Sequence, residues 1–272
     1  SDLPPHPSCR CRNGAPRAES GRLALMYEAA ELVLIAAAFL IAGMVKGVVG
    51  MGMPSVSVAL LTATLGLTNG LALMIIPTCV TNVWQAAYSP NLLAALRRHW
   101  LFLSTAVVMV IPGAAALTLV DVELLSAVLG IVLIVYSAAS LAHFRIAIPP
   151  KHETWAGALS GAATGVITGM TGSSIVPGVF FLQSLGLPRA ELVPVMGILF
   201  GACAVMLAIS LRQIGIVTPE TLLVSTAALI PALIGMELGQ RFGRRLPEAV
   251  FRRLLFRALM LLGLYIILRA AL

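Results

Sequence analysis

Charge is what this sequence is short of. Of its 272 residues, 11% are Asp, Glu, Lys or Arg, against about 25% in ordinary soluble domains. The fifty residues 47–96 contain none of these and no histidine. A spanning helix needs about 20 apolar residues, so this run alone can cross a bilayer twice. The scarcity excludes a soluble globular domain and a disordered chain. Histidine is equally thin: His6, His99, His143 and His152 all lie in a polar tail or at segment ends. His152-Glu153 is not followed by a second histidine one helical turn on, so no metal pair forms on a helix face. No Asp or Glu lies deep in an apolar segment, Glu220 and Glu237 being near segment ends. Gly172-Ser173-Ser174 therefore has no base to activate its serines. No catalytic residue, metal or cofactor is expected, and the chain is not read as an enzyme. The four cysteines make no disulfide framework. Cys9 and Cys11 sit in the tail, and Cys79 and Cys203 sit inside apolar runs as ordinary thiols.

Hydrophobic residues, by contrast, make up 59% of the chain, and the mean hydropathy is +0.99. The net charge of +7 does not mark a nucleic-acid binder. The basic residues fall in short clusters between apolar runs, as membrane loops require. The lipid bilayer is the expected partner, and nucleic acid is not. Apolar segments fall at about 29–50, 53–66, 69–88, 101–119, 122–142, 155–170, 174–186, 192–211, 219–238 and 254–271. The fold expected is an all-α integral membrane protein of about 8–10 hydrophobic helical segments. Residues 1–25, rich in proline, glycine and arginine, read as a disordered polar tail upstream of a natural start at Met26.

The membrane part repeats itself. Gly43, Gly47, Gly50, Met51 and Gly52 answer to Gly161, Gly165, Gly169, Met170 and Gly172. Leu65-Gly66-Leu67-Thr68 answers to Leu185-Gly186-Leu187-Pro188, and Val110-Ile111-Pro112 to Leu229-Ile230-Pro231. Two membrane repeats, 26–150 and 151–272, follow from this order. The short segments beside the glycine clusters predict Gly-rich helix breaks or re-entrant hairpins. Loop charge decides their orientation. An odd number of crossings per half places Arg97, Arg98, Arg145, Lys151, Arg189, Arg241, Arg244, Arg245, Arg252, Arg253 and Arg257 on one side. Only Arg212 and Arg269 then fall opposite. The positive-inside rule selects this arrangement: inverted repeats, both termini outside, basic loops in the cytoplasm.

The polar residues inside the membrane form the expected substrate site. The first cluster is Lys46, Gly47, Gly50, Gly52, Ser55 and Ser57, beside Pro54. The second is Thr168, Gly169, Thr171, Gly172, Ser173 and Ser174, after Gly165. A glycine break exposes helix-start N–H groups and a positive dipole end, and hydroxyls add donors. Two such breaks make a pocket for a small anion. The alternative use of such residues is close helix packing. Asn82 and Gln85 share a helical face with Thr78, and Thr81 lies near it. They either bond across helices or line the substrate path. Lys46 is the only charge well inside an apolar segment, read either as an anion-attracting residue or as one snorkelling to the cytoplasm.

Through Gly47-Val-Val-Gly50-Met-Gly52, its second copy from Gly165 to Gly172, and the Leu-Gly-Leu and Pro-Gly/Ala elements after each, the chain resembles the sulfite exporter TauE/SafE family. This group is also called the four-toluene-sulfonate uptake permeases. The resemblance covers about residues 30–271. Met51 and Met53 interrupt the glycines of the first cluster, and Thr171, Ser173 and Ser174 stand where the second has more glycine in the family. The resemblance implies a multi-pass permease of the bacterial-type inner membrane for sulfite, organosulfonates or related small sulfur-containing anions. Export is the favoured direction, driven by the membrane potential without a buried carboxylate. The alternatives are uptake of a sulfonate or other small organic anion, or a non-transporting membrane scaffold.

Overall fold

The computed structural model describes residues 27–87, 92–142, 148–243 and 248–272. The tail with His6, Cys9, Cys11 and Met26 lies outside the described residues, as do His143, Arg145, Arg244 and Arg245. Helix α1 (Ala29–Val49) ends on Gly50, whose φ of 85° lets its N–H turn back to the Lys46 carbonyl at 2.8 Å. Gly52, φ 94°, then starts α2 (Met53–Leu65), with Pro54 in the first turn, where no helical N–H is needed. A side chain at either φ is strained. Gly66 alone separates α2 from α3 (Leu67–Ala87). There follow α4 (Leu92–Leu119), α5 (Val122–Leu141), α6 (Glu153–Thr171), α7 (Gly178–Ser184), α8 (Arg189–Gln213), α9 (Pro219–Gly243) and α10 (Glu248–Ala271). No strand occurs among the described residues.

Seven of these helices are long and apolar enough to cross a membrane: α1, α3, α4, α5, α8, α9 and α10. Val33, Leu119, Leu254 and Leu261 are exposed, while Lys46, Ser55, Asn82, Thr168 and Ser173 are buried. Apolar outside and polar inside is the distribution lipid demands. The chain is an all-α multi-pass membrane protein.

Two differences from the expected segments have local causes. The apolar run 174–186 is not one helix: residues 173–175 have no regular structure, and α7 covers only Gly178–Ser184. Pro177 disfavours helical backbone at the β-branched Val176 before it. Conversely, α4 begins at Leu92 rather than 101, running through Arg97 and Arg98 with a kink at His99 (φ −107°, ψ 18°). Arginine is a good helix former, so polarity there does not end the helix.

Glycine also sets how the helices pair. At Gly43 and Gly47 of α1, an added Cβ would fall on the main-chain oxygens of Ala232 and Met236 in α9. Gly235 and Gly239 of α9 face the oxygens of Leu40 and Met44 in the same way. A matching seam joins α6 to α4. Gly161, Gly165 and Gly169 meet the oxygens of Phe102, Ala106 and Val110, and Gly113 meets that of Val166. Residue numbers rise together along both seams, so each pair is parallel. The Lys46–Asn82 and Gly50–Gln85 hydrogen bonds make α1 and α3 parallel as well. In contrast, Gln85 reaches Val193 while Gly201 packs on Asn82, so α3 and α8 run antiparallel. Gly130 against Ile267 and Gly263 against Ile134 make α5 and α10 antiparallel too.

Proline leaves one repair visible in the core. Pro77, inside α3, has no N–H to give the Leu73 carbonyl. Ser225 of α9 supplies it: its hydroxyl donates to Leu73 O at 2.7 Å and accepts from Ile76 N at 3.2 Å.

Candidate functional site

The two glycine breaks meet. Ser55, in the first turn of α2, and Ser173, just after α6, have their hydroxyl oxygens 2.8 Å apart, both fully buried. Gly172, φ 72°, presses the second break against Leu71 and Met74 of α3 and Val58 of α2. The first helix hairpin therefore brings together residues 118 positions apart.

On one side of this contact lies Lys46, 4% exposed. It does not snorkel. Its side-chain nitrogen donates inward, to Thr81 Oγ1 at 3.1 Å and to Asn82 Oδ1. Thr81 in turn donates to the Pro77 carbonyl at 2.7 Å and lies 3.4 Å from Met53 Sδ. This links the lysine to the start of α2. No ion pair to Lys46 occurs among the described residues. The Asn82 amide nitrogen and the Thr78 hydroxyl, one turn apart on α3, are buried without a hydrogen-bond partner among them. Unpaired buried polar atoms cost about 1–3 kcal/mol each. The hydroxyls of Thr62, Ser137 and Ser160 are likewise unpartnered among the described residues, but Asn82 is the one whose other amide atom binds a lysine. Gly197 and Gly201 of α8 close the far side of Asn82.

The remaining expected residues divide. Gln85 bridges the Gly50 carbonyl at 3.1 Å and the Val193 carbonyl at 2.9 Å, so it ties the first break to α8. The Ser57 hydroxyl is turned back to the carbonyls of Met53 and Pro54. Thr171 donates to Ile167 O at 2.7 Å and takes the Ser173 N–H at 3.3 Å, satisfying a donor that the break frees. Thr168 donates to Thr164 O at 2.6 Å and shares a 2.9 Å hydrogen bond with Ser174. Gly47 and Gly169 lie in the helix seams described above, while Gly50, Gly52 and Gly172 make the breaks themselves. Lys46 and Thr168 occupy like positions, each four residues before a left-handed glycine, Gly50 or Gly172. The positive charge is thus carried by one half only.

Thr81, placed by its spacing near the Asn82 face, takes a direct part, and Ser225 is a participant with no mark in the sequence. Thr81 links Lys46 to Met53 of α2, and Ser225 satisfies main-chain groups beside Pro77, just before Thr78, Thr81 and Asn82 in α3. Pro77 signals that some donor must reach the Leu73 carbonyl, but nothing in the spacing says which. Cys79 and Cys203 are free thiols. At the rim, Arg98 of α4 makes a two-pronged pair with Glu153 of α6, at 3.2 and 3.3 Å. Arg241 pairs with Glu237 on the exposed side of α9.

A lysine nitrogen, an amide N–H and hydroxyls at the junction of two helix breaks form a donor-rich cluster with no carboxylate among the described residues, a chemistry suited to an anion. Compared with known protein families, the chain matches the one described as Sulfite exporter TauE/SafE over residues 35–266. No curated protein and no solved structure matches it. The chain belongs to that family of membrane transporters.

Proposed function

We propose that this transporter exports a small sulfur oxyanion, sulfite or an organosulfonate, through the site between α1, α2, α3 and the break after α6. The observation that carries the reading is Lys46, buried without a counter-charge, beside the unpartnered amide of Asn82 and hydroxyl of Thr78. An oxyanion satisfies all three at once, and three oxygens accept from several directions. The residues that would touch it are Lys46, Thr78, Asn82, Ser55 and Ser173. Gln85, Ser57, Thr168, Gly169, Thr171 and Ser174 hold the frame around it.

The two halves are read as inverted repeats in a bacterial-type cytoplasmic membrane. Three features support this. Helices in like positions run oppositely, α3 against α8 and α5 against α10. The seam of α1 with α9 is answered by that of α6 with α4, the same pairing with the halves exchanged. The ends bearing Arg98, Lys151 and Arg241 fall on one side, which the loop-charge rule makes cytoplasmic.

Direction follows from energetics. A potential of 100 mV, negative inside, favours exit of one negative charge by about 2.3 kcal/mol, and of a dianion by about 4.6 kcal/mol. The test is radiolabelled sulfite efflux from proteoliposomes at clamped potential, with sulfate and taurine as competitors. Saturable efflux that is competed by a sulfonate is the expected result. Folded protein that moves none of these anions overturns the reading.

A further inference from the structure

We infer that anion binding at Lys46 takes up one proton, so that the protein carries anion and proton together; the inference rests on the site reading above. The hydrogen-bond count carries it. A lysine ammonium has three N–H donors and a neutral amine two. Lys46 finds two acceptors among the described residues, Thr81 Oγ1 and Asn82 Oδ1. These two acceptors match the two N–H donors of an amine, whereas an ammonium has a third donor and a full charge to satisfy.

Among the described side chains of α2, α3, α9 and α10 no anion stands against Lys46, and Glu191 of α8 lies in that helix's first turn, before Val193 and Gly197. Helix α2 carries no titratable residue, and α3 only Cys79. On α9, the residues level with Gly47 are Met236 to Gln240, and the charges there, Glu237 and Arg241, pair with one another on the exposed side. Glu220 lies at the far end of that helix, and Glu31 at the far end of α1. The described side chains of α10 bring arginines and Tyr265, none of them an anion.

The incoming oxyanion changes the count. It provides the third acceptor and the counter-charge, so a proton from solution joins the amine as the anion arrives. The amine, the proton and the anion become an ammonium–anion pair, and release on the other side returns both. A monoanion then crosses with no net charge, so its own gradient and the proton gradient set its direction. A dianion crosses with one net negative charge and keeps about half of what the membrane potential gives it uncoupled. Proton coupling here needs no buried carboxylate, because the lysine holds the proton.

The experiment is calorimetric titration of the full-length protein, in nanodiscs of neutral lipid, with methanesulfonate, whose own charge does not change over the working pH. Matched runs in two buffers of different ionisation enthalpy give the protons taken up per anion bound. About one is expected for the unaltered chain where the empty site is deprotonated, with affinity falling up to tenfold per pH unit above that point. Lys46→Arg, which stays charged, is expected to bind with no proton uptake. Methanesulfonate binding that is independent of buffer from pH 6 to 9 overturns the inference and leaves the site reading standing. No binding at all overturns both. The wild-type titration decides the matter even where the variant fails to fold.

Discussion

Ser55 and Ser173 share a buried hydrogen bond of 2.8 Å that joins two helix breaks lying 118 positions apart. Each hydroxyl sits where a chain reversal leaves main-chain groups without helical partners. Ser173→Leu inserts an apolar side chain into this junction and removes a donor, and overpacking of this kind costs about 1–3 kcal/mol. Transport is expected to be lost while the protein remains folded. Flux per molecule eluting as a monodisperse peak in detergent is the measurement, and unchanged flux removes the junction from the substrate path.

Asn82→Asp replaces an amide by a carboxylate within hydrogen-bond reach of Lys46. The lysine then has a permanent partner in the protein, and an anion must displace it. Folding is expected to be retained and anion flux to fall at least tenfold, which corresponds to about 1.4 kcal/mol of lost binding. Proteoliposome efflux beside a thermal melt in detergent separates the two effects. Wild-type flux would show that Asn82 only packs the helices.

Gly47 is expected to matter for a different reason. A side chain there meets the Met236 carbonyl across the α1–α9 seam, so Gly47→Leu forces the two backbones apart. The cost exceeds the ~1–3 kcal/mol of ordinary overpacking, because a helix rather than a side chain must move. The predicted outcome is loss of folded protein, read from yield and melting temperature. A stable, transport-deficient Gly47→Leu would return this glycine to the substrate path.

The Pro77–Ser225 relationship gives a double-mutant cycle. Ser225→Ala strands the Leu73 carbonyl, a cost of about 1–3 kcal/mol for a buried group left unpaired. With Pro77→Ala in the same chain, the residue at 77 regains an N–H for Leu73 and the serine becomes dispensable. The two changes should therefore be clearly non-additive in thermal stability, by about 0.5–3 kcal/mol. Additive losses would mean that Ser225 acts elsewhere.

The helices are legible in the sequence because lipid allows so little variation: long apolar stretches become helices, and glycine marks their ends. Lys46, Asn82 and Gln85 stand out for the related reason that polar side chains are rare there. What the sequence does not display is which of them meet. Thr81 looks like any helical threonine until Pro77 and Lys46 are placed around it. The glycines from 43 to 52 form one cluster in sequence yet do two jobs. Gly43 and Gly47 let helices touch, while Gly50 and Gly52 let the chain turn. Only the positions of α9 and of the φ angles separate these roles. The interruption of 174–186 was readable at Val176-Pro177, but an apolar run outweighs one proline in a hydropathy reading.

The two glycine seams determine what can move as a unit. Helix α1 is locked, backbone against backbone, to α9, and α6 to α4. Helices held this closely slide or separate only at the cost of many contacts. The α1–α9 seam joins residues 29–49 to 219–243, and the α4–α6 seam joins 92–119 to 153–171, so in a transport cycle each pair would move as one piece. A rocking motion would shear the Ser55–Ser173 junction between them rather than open a cleft between the two sequence halves.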